Sequence, residues 1–91
     1  YIKKIYVNHK NNTVKIEVKD YRENPMMLQV ANIDIKTLSG KTEIFYPNGK
    51  LFSSINVNNG KMNGIVTTYS EDGKVIKKIE VKDGEFVREI Q

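Results

Sequence analysis

The chain has no cysteine, no tryptophan and a single histidine, and proline occurs only twice in its 91 residues. Without cysteine, neither a disulfide framework nor a cysteine-ligated metal site can form. Its apolar runs are only a few residues long, too short for a membrane-spanning helix. Hydrophobic residues make up 38% and aromatic residues 9% of the chain. This supply suits one small domain with a thin core, such as a one-layer sheet of repeats.

Few residues of the chain could act in catalysis. His9 lies in a polar turn with no second imidazole and no carboxylate beside it in sequence. The serines do not stand in a nucleophile elbow, and acidic pairs such as Glu71-Asp72 flank turn signals, where acidic residues are expected anyway. We therefore predict a non-enzymatic protein and assign no catalytic, cofactor-binding or metal-binding residue.

The charge pattern gives little support to a nucleic-acid partner. Fifteen Lys and Arg residues against 11 Asp and Glu give a net charge of +4, but both signs are interspersed rather than clustered in a basic stripe. The lysines are expected on the solvated face of a sheet. A weaker alternative is attraction to anionic lipid. The lysines considered for that basic surface are Lys3, Lys4, Lys77, Lys78 and Lys82.

The hexapeptide KIEVKD occurs twice, at Lys15 to Asp20 and at Lys78 to Asp83. Tyr6 and Tyr69 precede the two copies at the same distance. An identical block predicts internal duplication, with each copy inside one hairpin unit. The spacing of the copies equals three periods of roughly 21 residues, so four units fit. Alternation predicts a core face in each copy, formed by Ile16 and Val18 and by Ile79 and Val81.

Asx-Gly pairs between alternating apolar runs predict tight hairpin turns in the second half of the chain, because glycine adopts positive φ without steric cost. The units that begin at Tyr46 and Tyr69 align if the first turn of the second unit contains one extra residue. No segment has helical spacing. The predicted fold is therefore all-β, a single-layer antiparallel meander. The predicted turn positions are Asn48, Gly49, Asn59, Gly60, Gly64, Asp72, Gly73, Asp83 and Gly84.

The first half follows the same plan less clearly. Ile2 to Val7 and Thr13 to Lys19 read as strands joined by a polar turn. Met26 to Val30 and Ile33 to Leu38 are the next predicted strands, preceded by a turn at Asn24-Pro25. The alternation of side chains reverses between these two strands, which predicts a bulge or a bend.

The segment YPNGKLFSSINVNNGKMNGIVTTYSEDGKVIKKIEVKDGE resembles the bacterial variant of the MORN repeat, a short hairpin unit built around N/D-G-K and N-G-K motifs. Residues 42–91 resemble it well and residues 1–41 are expected to be degenerate repeats. Gly64 has no glycine counterpart in the last unit, where Arg88 stands. The resemblance implies about four units of 20–24 residues in an elongated meander. It also implies protein–protein scaffolding, contact with membrane lipid, or an antitoxin-like pairing with a toxin.

Aromatic residues in neighbouring strands form a candidate interaction patch, unless they are simply core. An uncovered apolar face and open sheet edges invite a protein partner, including a second copy of the chain. The chain begins at Tyr1 rather than Met, which favours a mature form or an excised domain. Export and a cytoplasmic location both remain open. The patch residues are Phe45, Tyr46, Phe52 and Tyr69.

Overall fold

A computed structural model of the chain describes residues 2–20, 22 and 26–90. They form one eight-stranded sheet in which the strands follow each other in chain order, and every neighbouring pair is antiparallel. The predicted all-β meander is thus confirmed. Its strands are β1 (Ile2–Asn8), β2 (Thr13–Lys19), β3 (Leu28–Asp34), β4 (Ser39–Phe45), β5 (Leu51–Asn58), β6 (Lys61–Tyr69), β7 (Val75–Lys82) and β8 (Glu85–Ile90).

The connections alternate between two ends of the sheet. We call the end with the β1–β2, β3–β4, β5–β6 and β7–β8 turns the tip end, and the other the loop end. At the tip end, Asn59 and Gly60 have φ values of 52° and 79°, and Asp83 and Gly84 have 51° and 82°. Two successive positive φ values define the type I′ turn, whose twist matches that of the flanking strands.

The two loop-end turns that contain Gly49 and Gly73 are built alike, so the extra residue that we predicted in the second turn is wrong. In one, the Gly49 amide donates to the Tyr46 carbonyl (2.9 Å); in the other, the Gly73 amide donates to the Ser70 carbonyl (3.0 Å). The step between these turns is therefore 24 residues. It places Ser70, not Tyr69, at the position of Tyr46.

Gly64, which we predicted at a turn, lies inside β6. Its φ is 97°, and it stands where the pairing of β5 with β6 is irregular between Ser54 and Asn56. A glycine at positive φ inside a strand is typical of a bulge.

The predicted strand Ile33 to Leu38 is wrong, because Ile33 and Asp34 are the end of β3 and residues 35–38 form the β3–β4 turn. The Asp34 carboxylate organises this turn by accepting hydrogen bonds from the amides of Lys36 (2.9 Å) and Thr37 (3.1 Å). Leu38 closes it with a φ of 55°. The predicted bulge before Ile33 is absent from the described residues of β3, whose register with both neighbours is continuous. The predicted Asn24-Pro25 turn lies outside the described residues.

The two KIEVKD copies occupy strands that run in opposite directions. The first copy lies in β2 and the second in β7, and strands an odd number of steps apart in a meander are antiparallel. The copies are therefore not equivalent units of a repeat, contrary to our prediction. Their side-chain alternation is nevertheless as predicted.

Residues that pair across antiparallel strands share a face, so the register defines one face that is mainly apolar, which we call the apolar face. Val66 (9% exposed) and Val81 (7%) are its most buried apolar side chains, and Ser53 is 3% exposed. Its apolar members are Ile5, Val7, Val14, Ile16, Val18, Ala31, Ile33, Ile44, Ile55, Val57, Met62, Val66, Ile79, Val81 and Phe86.

Each hairpin tip is hydrogen-bonded to the preceding hairpin. The Ile35 amide donates to the Asn12 carbonyl (2.8 Å), the Gly60 amide to the Leu38 carbonyl (2.8 Å), and the Gly84 amide to the Met62 carbonyl (2.9 Å). These bonds extend the sheet pairing into the turns and fix the positions of successive tips relative to each other.

Candidate interaction surfaces

The apolar face is a candidate binding surface, because one side of it is left uncovered. All described secondary structure belongs to one sheet, so no second layer of described residues packs on this face. Its middle is shielded by neighbouring side chains, but its margins are open. Ile5 is 58% exposed, Val7 48%, and Phe86 64%. A contiguous apolar surface of this kind is typical of an interaction site.

The opposite face, which we call the charged face, carries ion pairs between residues of the sheet itself. Glu17 accepts from Lys15 (3.2 Å), and Glu80 accepts from Arg88 (2.7 Å). The Lys15 ammonium also lies over the ring of Tyr6, 5.8 Å from its centroid. Charges that are already paired within the sheet offer less to a charged partner than free ones.

The lysines that we considered for lipid attraction do not form one surface. Lys3 and Lys77 pair with Val18 and Thr68, which places them on the apolar face. The others, Lys4, Lys78 and Lys82, belong to the charged face. In addition, β1 and β7 lie near opposite edges of the sheet, about 29 Å apart at the usual strand spacing. The geometry therefore gives a lipid headgroup layer no concentrated basic patch.

The four aromatic residues of the predicted patch lie at the loop end, and two of them contact each other. The rings of Tyr46 and Phe52 meet edge to face, with centroids 5.2 Å apart. The Tyr46 hydroxyl donates to the Tyr69 carbonyl (2.8 Å), so this side chain links the end of β4 to the end of β6. The rings of all four predicted patch residues are half-buried. Tyr46 thus has a clear structural role in addition to any role in binding.

Phe45 lies at a shallow depression of about 340 Å³ on the charged face, beside Tyr46 and Leu28. Its wall is mainly apolar, and Lys19 stands at the margin. A second depression of about 350 Å³ lies at the other end of the predicted patch, beside Tyr69 and Leu51.

The carboxylates with perturbed pKa values accept hydrogen bonds from residues close to them in sequence, in the connections between strands. Hydrogen bonds from Arg22 lower the pKa of Asp20 to about 2. The Thr37 and Lys36 amides lower the pKa of Asp34, and the Ser70 hydroxyl lowers that of Asp72. His9 is exposed in the β1–β2 turn. Among residues 2–20, 22 and 26–90, no group of three His, Cys, Asp or Glu residues could hold a metal ion.

Sequence reasoning missed the charged residues that border the apolar face, Lys3 and Glu89. Glu89 pairs with Ile79 and so shares its face, although alternation from Phe86 predicts the opposite side. The irregular pairing between β7 and β8 near Val81 causes this change, and the sequence alone carries no signal for it.

No described helix is long and apolar enough to cross a membrane.

The comparison with protein families matches this architecture. The family model for the MORN repeat variant matches residues 38–59 and residues 62–83. Each matched segment is one hairpin joined at the loop end, β4 with β5 and β6 with β7. No curated protein and no solved structure gives a significant match. MORN repeats are generally associated with modules that bind proteins or membranes. The chain therefore carries a tandem pair of MORN-variant repeats within a continuous eight-stranded sheet.

Proposed function

We propose that this protein is a non-catalytic interaction module that binds another protein through its apolar face. The observation that carries the proposal is the uncovered apolar face, since a sheet normally buries such a face against a second layer. MORN repeats are typically non-enzymatic, which agrees with this role. The ion pairs within the charged face and the dispersed lysines favour a protein partner over a lipid surface.

A capture experiment with matched variants tests the proposal. The tagged chain is incubated with extract of its source cell, alongside Ile5→Asn on the apolar face and Ile65→Asn on the charged face. Both isoleucines lie in strands and are exposed, by 58% and 44%, so neither substitution empties a core. We expect a protein retained by the wild type and by Ile65→Asn but lost from Ile5→Asn. Equal retention by all three chains contradicts the proposal, and so does a chain that retains no protein and is also monomeric.

A further inference from the structure

We infer that the apolar face is covered by a second copy of this chain, so that two sheets form a face-to-face sandwich related by a two-fold axis that runs parallel to the strands. This inference rests on the proposed function and names its partner.

The area of the face is that of a standard interface. Eight strands at the usual spacing span about 38 Å, and six paired residues along a strand span about 20 Å. One copy thus offers roughly 760 Å², close to the 800 Å² or so that each partner contributes to a stable complex. The face is also poor in charge, since its charged members among the described residues are Lys3, Lys77 and Glu89.

The shape of a twisted sheet suits pairing with its own copy. Successive strands rotate in one sense, so the sheet is a saddle. A half-turn about an axis in the plane of the sheet, either along the strands or across them, maps a saddle onto one of the same curvature. Two copies related in this way remain at an even separation of about 10 Å, as in packed β-sandwiches.

Charge decides between these two axes. Lys3 in β1 and Glu89 in β8 share the apolar face, lie toward the loop end, and stand at opposite edges of the sheet. An axis along the strands places β1 over β8 of the second copy without reversing tip and loop ends. Lys3 lies in the same cross-strand row as Lys77, and Glu89 lies in the next row toward the tips, with Ile79. Lys3 of each copy is then diagonally opposite Glu89 of the other, about 7 Å away along the strand, which the long lysine side chain spans, and the pair forms twice. An axis across the strands places β1 over β1 and leaves Lys3 opposite apolar side chains.

The same axis covers the exposed margins of the apolar face. Ile5 and Val7 at one edge then pack against Phe86 at the other. In the single sheet these three side chains are exposed by 58%, 48% and 64%, and the contact between the two copies removes that exposure. The edge strands need not pair in this arrangement, which agrees with the lysines on β1 that discourage edge-to-edge pairing.

Sedimentation of the intact chain over a range of concentrations tests the inference. We expect a monomer–dimer equilibrium that Ile5→Asn weakens by roughly tenfold to a hundredfold and that Ile65→Asn leaves unchanged. Lys3→Glu should weaken the dimer about tenfold, because two attractive pairs become repulsive. The double variant Lys3→Glu/Glu89→Lys should restore it. Lys10→Glu, which makes the same charge change in an exposed turn, is the control and should have no effect.

A chain that stays monomeric at every concentration overturns the inference. So does a dimer that responds to Ile65→Asn rather than Ile5→Asn, and failure of the double variant to restore association overturns the assigned axis. The proposed function is judged separately. A monomer that retains a different protein, and loses it on Ile5→Asn, refutes the second copy as partner but supports the apolar face as a binding surface.

Discussion

Single residues act in this sheet by distinct mechanisms, and the glycines show the contrast. A Cβ on Gly40 would lie 1.9 Å from the Asn32 carbonyl oxygen, whereas one on Gly49 meets nothing within 4 Å. Gly49 and Gly73 instead have φ values of 87° and 91°, which β-branched residues avoid. The first glycine is required by space and the other two by backbone conformation.

Substitutions at these glycines separate the two mechanisms. We expect Gly40→Ala to destabilise the fold by about 1–3 kcal/mol, as overpacking does, while Gly49→Ala costs about 1–2 kcal/mol for the left-handed backbone. Gly49→Val and Gly73→Val should cost more than alanine. The measurement is urea unfolding of each variant. Unchanged midpoints for both valine variants contradict the assigned turn conformation.

Tyr46 combines a ring contact with a hydrogen bond that spans the sheet. Tyr46→Phe removes the hydroxyl that reaches the Tyr69 carbonyl (2.8 Å) and should cost about 1 kcal/mol. Tyr46→Ser, which copies the residue at the equivalent position 70, also removes the ring packing on Phe52 and should cost more. Tyr69→Phe keeps the accepting carbonyl and serves as the control in the same unfolding experiment. Equal losses for Tyr46→Phe and Tyr69→Phe contradict this assignment.

Strands and turns were predictable where glycine or a run of polar residues marks the turn. The positions of β1, β2 and the strands after Leu51 agree closely with the alternating patterns. The β3–β4 turn was missed because Ile35 and Leu38 are apolar and read as strand, although they are 46% and 54% exposed. A side chain, Asp34, makes this turn, as Asn8 does at the β1–β2 turn by accepting from the Lys10 (3.0 Å) and Asn11 (3.2 Å) amides.

The Asp34 turn gives a pH-dependent prediction for this element. The folded state lowers the pKa of Asp34 through the Thr37 and Lys36 amides. The resulting stability is present above the unfolded-state pKa of about 4 and is lost as pH falls through that value toward the lower folded pKa. We expect Asp34→Asn to keep the turn, as Asn8 does, and to remove this part of the acid dependence.

Asp34→Ala should lower the melting temperature already at neutral pH, because the turn amides lose their acceptor. Thermal unfolding of the three chains between neutral and acid pH provides the measurement. The Asp20 carboxylate, whose pKa is about 2, causes a similar loss of folding stability at low pH in all three chains. Its contribution therefore cancels in the comparison. Parallel acid profiles for the wild type and Asp34→Asn contradict this prediction.

At the scale of the whole molecule, stability is distributed unevenly across the sheet. The buried residues Ser53, Val66 and Val81 lie in β5, β6 and β7, whereas every residue of β1 is exposed. A sheet with nearest-neighbour contacts between strands should open locally from its edges. The alternation of side chains predicted which residues share a face of the sheet. It did not predict which strands are most buried, because burial depends on the side chains of neighbouring strands.

Hydrogen exchange of the backbone amides measures this gradient. We expect the slowest exchange in β5 to β7 and the fastest in β1 and β8, because opening an edge strand exposes little buried surface. Truncating Val66 to Ala should narrow the gradient by weakening the centre. Uniform amide protection over all strands contradicts the predicted gradient and indicates that the sheet unfolds as one cooperative unit.

The hydrogen bonds between successive tips restrict how a sheet of this kind can change in length. Each bond joins one tip to the tip before it on the same end of the sheet, and an inserted single strand would send every later tip to the opposite end. It would also reverse the direction of every later strand, so that the loop-end turns fall where tips belong. Length can therefore change without disturbing this order only in whole hairpins, in increments close to the 24 residues that separate Gly49 from Gly73.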